Sequence, residues 1–477
     1  MDLSPAIKYL ASSAKLRVTS DSREVQEGDL FVAVKGVKAD GHNYISQAAR
    51  NGAGFIVYQN GNLPANLPAL KTENSREALG ILSNFACGNP SEKLCCLAVT
   101  GTNGKTTVAS LTKQLLEQAG IKTGLIGTVW NDLCGSEGKS HAFMTTPPAE
   151  TLSRMLQITA ENGGKAVCIE ASSHALDQER LAGINIKAAA FTNLSGEHLD
   201  YHKTLDNYFA AKKKLFHHTP PISSGVINLD SPEGRELAEE LECGMIGYSL
   251  KNSNEGVLAA KEIKISPSST SYLLCWEGRE FTVETQLAGK FNISNQLAAA
   301  GLALSAGLDL GQIAEGLKKC RPPKGRLERV PNERGPNVFV DYAHTDDALE
   351  NVLQTLRPIT EGRLITVFGC GGCRDETKRP RMAKVSEKYS DISIITNDNP
   401  RKEDPETILD QISEGFSSLE HVLRLSDRKI AIEKAISLAR PEDTVIIAGK
   451  GHEEYQENAE GRRDFSDKKT AENIMER

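Results

Sequence analysis

The sequence predicts an α/β protein of three domains: a small N-terminal α/β domain over 1–92, a central parallel-sheet domain with a phosphate loop over 93–322, and a C-terminal doubly wound, Rossmann-like domain over 323–477. Three observations carry that expectation. At 477 residues the chain exceeds what one hydrophobic core usually supports. Short apolar runs alternate with helical stretches, the rhythm of a parallel sheet with helical crossovers. That rhythm stops at Arg321-Pro322-Pro323-Lys324-Gly325-Arg326, where paired prolines end a helix, and then restarts.

In the N-terminal domain, Ser20-Asp21-Ser22-Arg23 precedes a strand over Asp29 to Val34 and a turn from Gly36 to Gly41, with no cluster of catalytic residue types. The central domain opens with the apolar strand Leu94 to Val99, which runs directly into Thr100-Gly101-Thr102-Asn103-Gly104-Lys105-Thr106-Thr107. Backbone N–H groups of such a turn point at phosphate oxygens, the lysine neutralises β/γ charge and the threonine hydroxyl can ligate Mg²⁺. A nucleoside triphosphate is therefore the expected ligand. The general pattern has four residues between its glycines, whereas Gly101 and Gly104 have two and Val99 stands where the first glycine would fall, so this loop is a shortened variant. An amphipathic helix with Val108, Leu111, Leu115 and Leu116 comes next. Further strands are expected at Ala166 to Glu170, Ala188 to Thr192 and Val226 to Leu229, and the β-rich stretch Val257 to Glu284 suits an inserted hairpin or small sheet.

Beyond the proline break, strands at Val338 to Val340, Leu364 to Phe368, Ile392 to Thr396 and Thr444 to Ala448 each run into a polar cluster. The clusters are Asp341 to His344, Gly369 to Asp375, Asp398 to Arg401 and Gly449 to Glu453. In an open doubly wound sheet, ligands bind outside the carboxyl ends of the strands, so these clusters are expected to line one crevice.

A net charge of −7 argues against a nucleic-acid partner, although a local basic pocket for an anionic substrate is compatible with it. The first residues, MDLSPAIKYLASSAKLR, lack the apolar core of a signal peptide, and no run approaches a spanning helix, so a cytoplasmic location is expected. Ten cysteines are scattered, several inside apolar strands, which suits reduced thiols. Cys370-Gly-Gly-Cys373 could be half a zinc site or a redox pair, but no second pair completes it.

Several residue types suggest chemistry. Glu170, ending a strand near the loop, could hold Mg²⁺ or cap a helix. His198 and His202 are spaced i, i+4 in Glu197-His-Leu-Asp-Tyr-His202; a zinc pair is conceivable, and one histidine near Mg²⁺ is the preferred reading. The run Ala210-Ala-Lys212-Lys213-Lys214-Leu-Phe216 reads from spacing alone as a solvated basic face. Asn292 and Asn295 could cap a helix or read a purine edge. Asp398-Asn399-Pro400-Arg401 pairs an ammonium acceptor with a carboxylate-binding guanidinium, which suits an amino acid, with a surface turn as the alternative. Asp341 and His344 are weak candidates for proton transfer.

In order along the chain, TGTNGKTT, Thr145-Thr146-Pro147, EASSHAL, HLDYH with AAK, GKFNxxN, Gly325-Arg326-Leu327-Glu328, DYAHT, FGCGG, DNPR and GKGHE resemble the Mur ligases of peptidoglycan assembly nearly end to end. The resemblance implies an ATP-dependent acid–amino-acid ligase. A D-glutamate γ-carboxylate takes the γ-phosphate of ATP to give an acyl phosphate, and an incoming amine displaces phosphate. The implied substrates are UDP-N-acetylmuramoyl-L-alanyl-D-glutamate and meso-2,6-diaminopimelate, with ATP and Mg²⁺ and a monomeric enzyme. By the same resemblance, Lys105, Glu170, His198 and Lys212 are catalytic, with Lys212 carbamylated; Thr106, Glu170, His198 and Lys212 serve the metal. ATP would be met by Gly101, Thr102, Asn103, Gly104, Lys105, Thr106, Thr107, Asn292, Asn295, Arg326 and Asp341. The UDP-substrate would be met by Ser22, Thr145, Thr146, Ser172, Gln178 and Arg180, and diaminopimelate by Arg374, Asp398, Asn399, Arg401, Gly449 and Glu453.

Arg401 offers a partner for a distal carboxylate that lysine lacks, and a site built on a buried polar group rejects analogues without it by roughly 10⁴-fold. The alternatives are the same ligation with L-lysine, a folylpolyglutamate synthase-like ligase, and a nucleotide-dependent switch. The sequence departs from the family pattern at Cys373, where an Asp is usual and loop support comes into question, at Asp346 in place of proline, and at Glu197 in place of Asp.

Overall fold

Runs of Val, Ile, Leu and Ala that are buried on both faces form the parallel strands, and alternate residues of each run point to opposite helical layers. The computed structural model describes 1–13, 16–36, 39–64, 67–136, 138–266, 269–332 and 335–476. It contains two compact units: Met1–Ala259 with Cys275–Glu280 and Ser294–Gly316, and Ala260–Leu274 with Phe281–Ile293 and Leu317–Arg477.

The first unit begins with a parallel sheet of β1 (Val18–Thr19), β2 (Leu30–Val32), β3 (Phe55–Tyr58) and β4 (Ala69–Lys71), hydrogen-bonded in that order. Leu30, Val32, Phe55 and Val57 pack on the helices Ser4–Ala11 and Ser75–Ala86, while Phe31 and Ile56 face the helix Ile45–Arg50. Polar contacts tie this N-terminal part to the rest of its unit. Ser20 Oγ donates to Glu150 Oε1 at 2.6 Å, and Asn84 Nδ2 to the Gly183 carbonyl at 3.0 Å.

A second sheet comprises β5 (Cys95–Thr100), β6 (Thr123–Ile126), β7 (Trp130–Asp132), β8 (Lys139–His141), β9 (Ala166–Glu170), β10 (Ile186–Phe191), β11 (Ser224–Asn228) and β12 (Gly244–Ser249). Their order is β12-β11-β10-β5-β9-β6-β7-β8; the strands from β12 to β6 run parallel, and β7 and β8 are antiparallel. The chain places β9 on one side of β5 and β10 on the other, so the sheet switches direction at β5, and the loops leaving β5, β9 and β10 share one edge. The β-rich stretch after it forms β13 (Val257–Ile265), β14 (Thr270–Trp276) and β15 (Arg279–Thr285), with Val257 to Ala259 paired to β12.

The second unit holds β16 (Glu328–Arg329), β17 (Asn337–Asp341), β18 (Leu364–Phe368), β19 (Ile392–Ile395), β20 (Val422–Arg424) and β21 (Thr444–Ala448) in the order β16-β17-β21-β18-β19-β20, parallel except for β16. Phe339, Phe368, Ile395 and Ile446 pack on one helical layer (Asp346–Leu356, Lys378–Tyr389, Pro405–Ser413). Val338, Val367, Ile394 and Val445 pack on the other (Arg428–Leu438, Asp467–Met475), which makes the sheet doubly wound as expected. A hairpin of β22 (Tyr455–Asn458) and β23 (Gly461–Asp464) comes after β21.

The second helical layer is pinned by an ion pair with no exposure on either side chain: Arg428 Nε and Nη2 donate to Asp467 Oδ1 and Oδ2, each at 2.7 Å. Arg428→Met strands the Asp467 charge in the core and is expected to cost about 3–5 kcal/mol, measured as a lower urea midpoint, with Asp467→Asn in the same chain recovering part of it.

All ten cysteines are thiols rather than halves of disulfides. Cys370 lies against Met382, and burial pushes its thiol up to about 12, whereas Cys373 is exposed. Among the described residues no helix is long and apolar enough to cross a membrane.

Candidate functional site

The phosphate loop is held by two neighbours that the sequence places 90 residues away. Asn193 Oδ1 accepts the Asn103 N–H at 2.9 Å, and the Asn103 carbonyl accepts Thr192 Oγ1 at 2.6 Å. Gly101 has φ +142° and a Cβ there would lie 1.9 Å from Thr192 Oγ1; Gly104 has φ +92° and its Cβ would lie 2.4 Å from Asn295 Oδ1, so both positions demand glycine. Gly104 caps the helix Lys105–Gln118 without a side-chain bond, which leaves the first-turn N–H groups for an anion. Lys105 Nζ folds over the turn, 2.7 Å from the carbonyls of both Gly101 and Thr102.

Glu170 ends β9 opposite Val99 and is 1% exposed. It caps no helix. Its Oε2 accepts Thr106 Oγ1 at 2.9 Å and Thr128 Oγ1 at 2.8 Å, and its Oε1 accepts the Thr128 N–H at 3.0 Å. A buried carboxylate joined to the loop hydroxyl is an all-oxygen donor set of the kind a hard divalent cation takes.

Lys212, on the helix Leu205–Lys213, is 1% exposed. Its Nζ donates to the Gly101 carbonyl at 2.8 Å and lies 4.1 Å from the Tyr208 ring centre. Burial, reinforced by the Lys105 charge, drives its pKa well below the ordinary lysine value. The solvated-face reading therefore fails for Lys212. It describes the next two lysines: Lys213 pairs with Glu236 and Glu240 at 2.7 and 2.6 Å, and Lys214 with Glu179 at 3.0 Å.

The two histidines span one helical turn, the His202 N–H donating to the His198 carbonyl at 3.0 Å, and both rings pack on His174, at 4.8 and 5.4 Å. His198 is the left-handed residue, φ +58°, before the one-turn helix Leu199–His202; its half-exposed ring meets His174 edge-on at 4.8 Å. His202 is buried with Nε2 3.0 Å from Ser173 Oγ, so they do not form the i, i+4 zinc pair. Among the described residues no group of three or more His, Cys, Asp or Glu gathers as a metal site.

Thr145, Thr146, Ser172, Gln178 and Arg180 form one network reaching Glu170. Thr146 Oγ1 donates to the Glu170 carbonyl at 2.6 Å and accepts the Ser172 N–H at 3.0 Å. Arg180 donates to the Thr146 carbonyl at 2.6 Å and to Gln178 Oε1 at 2.9 Å, and Thr145 Oγ1 takes a bond from Thr128 at 3.1 Å. Ser22 stands apart, in the turn after β1, donating to Gln47 Oε1 at 3.1 Å.

Asn292 and Asn295 lie on the helix Lys290–Ser305; Asn292 Nδ2 donates to the Ala288 carbonyl at 2.8 Å, while Asn295 abuts Gly104. In the second unit both Asp341 oxygens hold main chain: Oδ2 accepts the Leu327 N–H at 2.6 Å and Oδ1 the Ala343 N–H at 2.7 Å. Burial raises its pKa. Asp341 thus fixes the turn that carries Arg326, whose guanidinium lies 5.0 Å from the Tyr342 ring centre.

Behind β18, β19 and β21 the polar clusters meet. Among the described residues, Asp398 Oδ2 accepts no hydrogen bond; it lies 4.0 Å from Arg428 Nη1, which donates none. Gly449, φ +117°, leaves it room, since a Cβ there would lie 2.7 Å from that oxygen. Asn399 Nδ2 donates to Glu453 Oε2 at 2.8 Å. Arg401 Nη1 donates to the Gly372 carbonyl at 2.9 Å, with Nε 3.7 Å from Glu457 Oε2. Arg374 is exposed on the adjoining loop. That loop does not need an acid at 373: the Cys373 N–H donates to Glu403 Oε2 at 2.8 Å, and fully buried Arg379 grips both Glu403 oxygens at 2.6 and 2.9 Å.

Sequence reasoning missed Thr128, Asn193, Tyr208, Arg428 and Lys450. Lys450 stands inside the Gly-Lys-Gly-His-Glu cluster directly after a buried strand, a signal that could have found it. The others have none short of the topology.

Three family descriptions match the chain: Mur ligase family, catalytic domain, over 17–86; Mur ligase middle domain over 99–303; and Mur ligase, glutamate ligase domain, over 325–451. The UDP-N-acetylmuramoyl-L-alanyl-D-glutamate--2,6-diaminopimelate ligase of Aquifex aeolicus is 41% identical over 475 residues, spanning 100% of this chain and 95% of that protein. A solved structure of a UDP-N-acetylmuramoyl-L-alanyl-D-glutamate--2,6-diaminopimelate ligase superposes with TM-score 0.73 at 32% identity, covering 96% of this chain and 94% of that one. Folylpolyglutamate synthase of Mycobacterium tuberculosis, solved with ADP and AMPPCP, shares the fold with TM-score 0.62 at 20% identity, covering 79% and 92%.

Proposed function

The chain belongs to the Mur ligase family, and from that premise we propose that it adds meso-2,6-diaminopimelate to the D-glutamate γ-carboxylate of UDP-N-acetylmuramoyl-L-alanyl-D-glutamate, at the expense of ATP, in peptidoglycan precursor synthesis. The observation that carries this reading is the convergence of Lys105, Lys212 and the Thr106–Glu170 pair on one phosphate loop. Residues 1–92 serve the UDP end through Ser22, 93–322 the ATP and the muramoyl dipeptide, and 323–477 the incoming amino acid. The nucleotide-linked substrate puts this reaction in the cytoplasm, and the proposed enzyme acts as a monomer.

The loop N–H groups and Lys105 hold the β- and γ-phosphates, with Asn292, Asn295, Arg326 and Asp341 supporting the rest of the nucleotide. Thr145, Thr146, Ser172, Gln178 and Arg180 are tied to Glu170, so the chain that positions the dipeptide also positions a metal ligand. The D-glutamate carboxylate attacks the γ-phosphorus, forming an acyl phosphate and releasing ADP. The amine of diaminopimelate then attacks the acyl carbon, forming the amide and releasing phosphate. Asp398, Asn399, Glu453, Gly449, Arg374 and Arg401 orient that amino acid.

Thr106 Oγ1, Glu170, His198 and carbamylated Lys212 would hold Mg²⁺, which supplies charge neutralisation on the phosphates. Lys212 suits carbamylation because only a neutral amine attacks CO₂, giving a carbamate and a proton. Its burial keeps the amine neutral at a pH where an exposed lysine is charged.

With ATP, Mg²⁺ and the UDP-muramoyl dipeptide supplied, ADP release is expected to depend on added meso-diaminopimelate. Release that ignores the amino acid, or requires a folate acceptor, overturns the proposal.

A further inference from the structure

Lys450, on the turn after β21, has no exposed surface, and a buried ammonium is costly unless it is paired. Its Nζ donates to Asn399 Oδ1 at 3.0 Å and to Glu453 Oε2 at 2.8 Å. Asn399 Nδ2 donates to the same Glu453 oxygen at 2.8 Å, which closes a triangle of three side chains from two turns. Asn399 Oδ1 also accepts the Glu457 N–H at 2.9 Å. Lys450 and Glu457 therefore occupy both acceptor sites of that oxygen, and the amide cannot flip without losing both bonds.

We infer that Lys450 is a positioning residue for the amino-acid substrate: it locks the Asn399 amide and fixes the Glu453 carboxylate beside it, so that both meet the incoming ammonium and carboxylate groups in one preset arrangement. This rests on the assignment of Asn399 and Glu453 to the amino acid under the proposed function.

The charge balance at Glu453 makes the role testable. Its neighbours are Lys450 and Asn399, with Arg428 from the helix Arg428–Leu438, Tyr342 after β17 and Tyr455 at the start of β22 acting on the same pocket. Arg428 is already committed to Asp467 and the Ala448 carbonyl. Among the described residues Lys450 is thus the cation in direct contact with Glu453.

Steady-state kinetics on the full chain, with ATP, Mg²⁺ and the UDP-muramoyl dipeptide saturating and meso-diaminopimelate varied, provide the test. Lys450→Met is expected to raise KM for diaminopimelate by about 10- to 100-fold, with no comparable change in KM for ATP or the dipeptide. Lys450→Arg, which keeps a cation within reach of Glu453, should recover most of the wild-type KM for diaminopimelate. Glu453→Gln serves as the reference. If Glu453→Gln leaves KM for diaminopimelate unchanged, the pocket assignment falls and the inference with it. If Glu453→Gln raises KM while Lys450→Met keeps the wild-type KM for diaminopimelate, the inference alone is overturned. A Lys450→Met chain that loses affinity for all three substrates together with thermal stability, and an arginine variant that behaves the same way, assign Lys450 a merely structural role and also overturn it.

Discussion

Lys212→Ala is expected to lower kcat/KM by about a thousandfold or more, because it removes the carbamate proposed at this position, facing the phosphate loop at the point where charge moves during phosphoryl transfer. The structure explains why this lysine alone among three neighbours has such weight. Its Nζ lies 2.8 Å from the Gly101 carbonyl, inside the loop that Lys105 also occupies. Two ammonium groups there would repel one another, and burial adds to that repulsion in lowering the pKa of Lys212. Carbamylation replaces the repulsion with attraction. Removing dissolved CO₂ should therefore reduce activity and bicarbonate should restore it, with the loss deepest at low pH, where the amine is protonated and cannot attack CO₂. Short carboxylates should partly rescue Lys212→Ala, whereas Lys213→Ala, which removes a surface ion pair, should behave as wild type. A fully active Lys212→Ala chain would refute the metal role.

The second large effect concerns the choice of amino acid. Meso-diaminopimelate is expected to be preferred over L-lysine by about 10²- to 10³-fold in kcat/KM, the equivalent of two charge-assisted hydrogen bonds to a distal carboxylate. This is smaller than the roughly 10⁴-fold expected for a wholly buried, unpaired guanidinium. Arg401 is a quarter exposed, and its Nη1 already donates to the Gly372 carbonyl, so lysine does not leave it without a partner. Arg401→Ala should erase most of the preference, chiefly by raising KM for diaminopimelate. Equal rates for the two amino acids with the unaltered chain would remove Arg401 from the specificity argument.

The fold was legible where burial pattern and turn chemistry are local. The runs at Leu364 to Phe368 and Thr444 to Ala448 became central strands because every residue in them is buried. The edge strand Val422–Arg424 escaped notice, being short and only half-buried. Within the site, the phosphate loop was readable because glycines at positive φ leave a sequence signature. Asp341 was legible as a polar residue at a strand end, but its acceptance of two backbone amides, which fixes the turn carrying Arg326, is a use no residue pattern announces. The spacing of His198 and His202 was legible, since the His202 N–H donates to the His198 carbonyl at 3.0 Å, whereas the engagement of His202 Nε2 with Ser173 Oγ, brought from another segment, was not.

By itself the sequence determined the alternation of strands and helices, the shortened phosphate loop and the chemical types gathered behind each strand, because these depend on backbone preference and on which residues avoid water. Tertiary structure alone decided which of Lys212, Lys213 and Lys214 is buried against the loop, which carbonyl satisfies Arg401, and that Glu403 rather than an acid at 373 supports the amino-acid loop. Those outcomes depend on desolvation and on hydrogen-bond partners brought from distant segments, and residues of identical type can differ completely in both.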